Sequence, residues 1–142
     1  MAKSAFLAPV PYMHLEGAIE ILQEKPFALF GTEVFDFFVD VELGARILIY
    51  RSHEEAEPLI SHQGIYQGYV SDPFEMKKLE REGYRPPTTI GEKWGMYWKC
   101  SDIKSLSQPM AFGEIQLASR KYLSGYPRRP IEIKALTGAA GR

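Results

Sequence analysis

A chain of 142 residues, 45% hydrophobic and 25% charged, with a formal net charge of −1, has the composition of a globular domain with room for one core. No apolar run approaches the roughly 20 residues of a bilayer-spanning helix, and the charge balance excludes a bulk-basic nucleic-acid binder. A single cysteine, Cys100, excludes an internal disulfide and fits a reducing compartment.

Charge is unevenly spread. Residues 1–60 hold 4 Lys+Arg against 10 Asp+Glu, and residues 61–142 hold 13 against 8. An anionic partner is therefore expected at the later half. The apolar part of Met1–Leu7 is too short for a secretory signal, so a cytoplasmic protein is expected.

In chain order, residues 5–12 read as an extended segment that Pro9 and Pro11 restrict to a sheet edge. Leu15, Ala18, Ile19 and Leu22 then fall on one helical face, with Glu16, Glu20 and Glu24 opposite and Pro26 as the stop. Two β-rich runs are expected between Phe27 and Val39, separated by Gly31-Thr32-Glu33. Gly44 marks a turn after Asp40, Val41 and Glu42. The apolar run that follows reads as a buried strand over 46–51. Alternation puts Arg46, Leu48, Tyr50 and Ser52 on one face and Ile47, Ile49 and Arg51 on the other.

Residues 53–62 read as a solvated connection. His53, Glu54, Glu57 and His62 match no metal-ligand spacing, so no metal and no other cofactor is expected. Ile65–Val70 is a further strand whose interior Gly68 suggests a bulge or a close backbone approach. Asp72-Pro73 opens a second helix, and Gly83 with Arg85-Pro86-Pro87 closes it. Its charged face places it outside the core as a crossover or lid. After a loop over 88–95, Met96–Cys100 reads as a strand with Met96, Trp98 and Cys100 inward and Tyr97 and Lys99 outward. Cys100 is there a small buried apolar residue. Residues 101–109 read as a connection, followed by extended runs at 111–118 and 130–135. Residues 1–4 and 137–142 are expected to fray. Five to seven short strands with two or three helices give one α+β, β-rich domain over 1–142, a mixed sheet curled into a barrel.

The segment Leu43-Gly44-Ala45-Arg46-Ile47-Leu48-Ile49-Tyr50-Arg51-Ser52 resembles the glycine–strand–Tyr–x–Ser core of EVE domains. Tyr97-Trp98, and then Leu106-Ser107-Gln108-Pro109-Met110-Ala111-Phe112-Gly113-Glu114-Ile115, resembles their later Trp and Leu-x-x-Pro segment. The chain is thus similar to the PUA-like superfamily, in its EVE and ASCH branches and near archaeal members of unknown function. Ala45 stands where EVE domains usually carry Asp, and Gly31-Thr32-Glu33 stands where the ASCH pattern has its lysine. The resemblance implies a PUA-like barrel with a cleft that binds RNA or a flipped, often modified, base.

Such a pocket needs aromatic faces and a few polar groups. Tyr50, Trp94, Tyr97 and Trp98 are the candidate faces, and Arg51 and Ser52 the candidate edge readers. Trp98 also suits the core, because it alternates with Met96 and Cys100. Trp94, among Gly91, Glu92, Lys93 and Gly95, is the ring with least structural reason for its place. Arg120, Lys121, Arg128 and Arg129, interleaved with Tyr122 and Tyr126, are the candidate phosphate contacts. The expected partner is RNA. The alternatives are an ASCH-like hydrolase using Lys25, Glu33 and Tyr50, and an interaction module or homodimer formed through the aromatic segment 27–38.

Overall fold

The computed structural model describes residues 3–33, 36–52, 59–89 and 94–134. Its elements run β1 (Lys3–Pro11), α1 (Tyr12–Ile21), β2 (Ala28–Thr32), β3 (Val41–Ser52), β4 (Ile60–Val70), α2 (Pro73–Arg81), β5 (Met96–Met110) and β6 (Ile131–Glu132). The six strands form one mixed sheet in the order β2-β5-β4-β3-β1-β6. β1 runs parallel to β3, and the other ladders are antiparallel. No ladder joins β2 to β6 among the described residues. The expected closed barrel is therefore an open sheet.

The sheet is nonetheless strongly curled. β1 and β5 are three inter-strand steps apart, about 14 Å in a flat sheet. Yet the rings of Phe6 on β1 and Trp98 on β5 meet edge to face with centroids 5.6 Å apart. Phe6 also meets Phe38 at 5.7 Å and Tyr66 at 5.7 Å. Such an aromatic cluster forms only if the sheet wraps around it.

β3 is central, as its apolar run predicts, with β1 on one side and β4 on the other. Both its faces are buried. Ile47 and Ile49 join the aromatic core, whereas Leu48 and Tyr50 join a second cluster with Leu106, Met110, Phe112 and Ile115. Gly44 lies inside β3 rather than at a turn before it. Its φ of +89° permits a bulge where the register against β1 jumps from Lys3↔Val41 to Ala5↔Arg46, a conformation that costs glycine no steric penalty.

Six further elements differ from the sequence reading. β1 lies between β3 and β6 rather than at a sheet edge. Phe112–Glu114, expected within an extended run, is a 3₁₀ turn. α1 starts at Tyr12 and ends at Ile21, before Pro26. Asp36–Asp40, expected within a strand, is a 3₁₀ helix with Phe38 buried. β4 starts at Ile60, earlier than expected, and is irregular at Gly68, whose φ is +101°. Residues 101–109 continue β5 instead of forming a connection. The polar run hides that strand because only Ser101, Leu106 and Met110 of residues 101–110 are buried, and Asp102 at φ +53° marks an irregularity where alternation breaks. α2 follows its signals, with the Asp72 carboxylate accepting from the Glu75 N–H at 2.9 Å and Pro73 at the first helical position. Among the described residues, no helix is long and apolar enough to cross a membrane.

Tyr66 is 1% exposed, and its hydroxyl is buried without a hydrogen-bond partner. A buried unpaired hydroxyl is expected to cost about 1–3 kcal/mol. Tyr66→Phe, which keeps the ring in the cluster, should therefore hold or raise the stability measured by chemical denaturation. A loss of 1 kcal/mol or more, roughly the worth of a hydrogen bond, would show that the hydroxyl is paired.

Candidate functional site

An open cleft of about 920 Å³ lies at the ends of three strands and α1. Pro9, Val10 and Pro11 close β1 along one side of it, with His14 of α1 beside them. Pro9 and Pro11 have no N–H to donate, which suits a strand end left free for a ligand. Phe30, Gly31, Thr32 and Glu33 enter from β2 and the residue after it. Tyr50 and Ser52 enter together from β3, as their shared face predicts. Thr89, Trp94 and Trp98 form another part, and Arg128, Arg129 and Pro130 complete the lining.

The aromatic residues divide by exposure. Phe30, Tyr50 and Trp98 are at most 5% exposed and form the floor. Trp98 packs with Phe6, Phe30 and Phe38, which corrects its reading as a stacking face; it is a core residue whose edge reaches the cleft. Tyr50 is likewise occupied. Its ring meets Phe112 edge to face at 4.8 Å, and its hydroxyl donates to the Pro127 carbonyl. Burial raises its pKa, and the nearby Arg128 charge opposes that rise. Tyr50 thus ties the segment carrying Arg128 and Arg129 to the end of β3.

Trp94 is the half-buried ring among the cleft aromatics. It lies over Gly31, where a Cβ would fall 2.2 Å from the indole Cγ, so glycine is required there for this packing. Trp94 also packs against the cluster of Leu29, Val70, Leu79 and Tyr97; it is not the freely exposed loop ring its glycine neighbours suggest. Its indole Nε1 is buried with no hydrogen-bond partner.

Tyr97 and Arg51 are not part of the cleft lining. Tyr97, on the opposite side of β5 from Trp98, is not outward but 1% exposed beneath α2. Its hydroxyl donates to Glu80, and Arg85 donates to both Glu80, at 3.1 Å, and the Tyr97 hydroxyl, at 2.8 Å. Burial and the Glu80 hydrogen bond push the Tyr97 pKa far up. Arg85 also donates to the Thr89 hydroxyl at 2.8 Å and to the Thr89 carbonyl. This network fixes the cleft end of the 85–89 segment. Sequence pattern could not join Glu80, Arg85 and Tyr97, because three different segments supply them.

The four candidate phosphate contacts separate. Arg128 and Arg129 line the cleft, whereas Arg120 and Lys121 are exposed at a turn and do not. That turn is closed by Leu117 N–H donating to the Lys121 carbonyl at 2.7 Å. Neither Arg128 nor Arg129 has a hydrogen bond or ion pair among the described residues. Glu33 also lacks an ion pair there. Sequence reading placed Glu33 only in the hydrolase alternative and passed over His14, Thr32 and Thr89.

The hydrolase trio is not brought together. Glu33 and Tyr50 line the cleft, but the Lys25 ammonium sits 5.0 Å from the Tyr84 ring, outside it. Among the described residues of 27–38, the aromatic rings turn inward. Phe30 and Phe38 are buried, and Phe27 stacks on Tyr84 at 4.4 Å. No group of three or more metal-ligating side chains occurs among the described residues. His53, Glu54 and Glu57 lie outside them, while His62 contacts Ser61 at 2.7 Å. Cys100 is fully buried, and burial pushes its thiol pKa far up, as an inert core thiol requires.

No family model matches the chain, and no curated protein matches it. Among solved structures it is similar to a hypothetical protein from Leishmania major, at 13% identity and a TM-score of 0.49, over 80% of this chain and 73% of that one. It is similar to a Pseudomonas putida protein at 15% identity and a TM-score of 0.49, over 77% and 74% of the two chains. A Pseudomonas syringae protein has 18% identity and a TM-score of 0.48 over the same shares. Likenesses this distant assign neither a family nor an activity.

Proposed function

We propose that the cleft binds single-stranded RNA, holding a phosphate at Arg128 and Arg129 and a base, unmodified or modified, against Trp94. The observation that carries this reading is the pair of guanidiniums without a carboxylate partner among the described residues, in a cleft that also presents a partly exposed indole. Guanidinium forks suit phosphate oxygens, and an aromatic face contributes roughly 1–3 kcal/mol per stacked base. Ser52, beside Tyr50 at the end of β3, is positioned to meet the sugar or base edge. The curl of the sheet supports reading the fold as PUA-like. On this reading the protein is a cytoplasmic binding module.

The test is titration of a fluorescent single-stranded RNA across salt concentrations. Two neutralised phosphates on a single strand give a slope of about −1.4 in log K against log salt. Absence of binding at low salt, or binding indifferent to salt, would contradict the proposal.

A further inference from the structure

The cleft is lined by charges of both signs. Arg128 and Arg129 bring two positive charges, and Glu33, from the end of β2, brings a carboxylate into the same cavity. No ion pair joins Glu33 to either arginine, so neither sign is neutralised by the other. A phosphate is repelled by Glu33 and drawn to the arginines. The ligand is thereby oriented with its base toward β2, where Glu33, Thr32 and Trp94 lie.

An ionised carboxylate only accepts hydrogen bonds. A base edge presenting an exocyclic amine, as cytosine and adenine do, satisfies it. A base with a carbonyl at the same position, as in uracil and hypoxanthine, sets two acceptors against each other and gains no hydrogen bond there. We infer that Glu33 makes this cleft selective for amino-bearing bases over their carbonyl counterparts. The inference rests on the RNA-binding reading and adds the class of base that reading leaves open.

The test uses four pentaribonucleotides of cytidine, uridine, adenosine and inosine, titrated against wild type and Glu33→Gln. Wild type should prefer the cytidine pentamer over uridine, and adenosine over inosine, each by roughly tenfold, within the range for one well-formed base contact. Glu33→Gln, whose amide both donates and accepts, should collapse both ratios toward one while the salt dependence stays unchanged. Glu33 is exposed, so the variant should keep the wild-type melting temperature. Salt-dependent binding with no amine preference, or a preference that survives Glu33→Gln, overturns the inference and leaves the RNA reading standing. Failure of wild type to bind any of the four pentamers overturns both.

Discussion

Trp98→Ala should lose about 3–5 kcal/mol of stability, the range for removing a large buried aromatic side chain. The indole is 3% exposed, 4.7 Å from the Phe30 ring and 5.6 Å from Phe6. It bridges β5 to β1 across the curl, so its loss removes the contact that draws β1 toward β5. Phe6 and Phe38, themselves at most 1% exposed, cannot close the void without moving β1 and the 3₁₀ helix that carry them. Urea denaturation followed by circular dichroism measures the effect. A loss below about 1 kcal/mol, small for a core truncation, would mean that the ring is not a core support and that the curl has another origin.

The second large effect concerns charge. Arg128→Glu/Arg129→Glu should reduce RNA affinity at low salt by tenfold or more and abolish the salt dependence, because both phosphate contacts become repulsive. Arg120→Glu/Lys121→Glu reverses the same number of charges at the 117–121 turn, outside the cleft lining, and should leave most of the affinity and the slope intact. All four residues are exposed, so folding should be unaffected, and melting temperatures check this. Equal losses in the two variants would mean that RNA responds to overall charge rather than to this cleft.

The contrast between these two clusters shows how far the sequence could be read. A count of basic residues groups Arg120, Lys121, Arg128 and Arg129, because nothing in one dimension says which will face a cavity. Their separation depends on Tyr50, whose hydroxyl bond to Pro127 joins residues 77 positions apart. The face shared by Tyr50 and Ser52 was legible, because alternation along an apolar strand is a local property. So were the capped start of α2 and the bulge at Gly68.

Strand β5 beyond Ser101 was not legible. Its outer face is wet, and Asp102 interrupts its period. The 3₁₀ helix at Asp36–Asp40 was hidden for the opposite reason. Its β-prone aromatic residues satisfy the same burial in a helical turn, with Phe38 packed against Phe6 and Tyr66. Tyr97 reads as outward by alternation, yet α2 covers that face of the sheet and makes it interior. Trp94 reads as an unusual loop ring, but its seat on Gly31 joins residues from two distant segments.

The most direct test of the cleft as the RNA site follows the two indole N–H signals of ¹⁵N-labelled protein during titration with a cytidine pentaribonucleotide. The chain has two tryptophans, and Trp94→Phe assigns the pair. Binding in the cleft predicts a dose-dependent, saturable shift of the Trp94 indole signal. Saturable binding that leaves the Trp94 signal in place would contradict the account and put the RNA elsewhere on the protein.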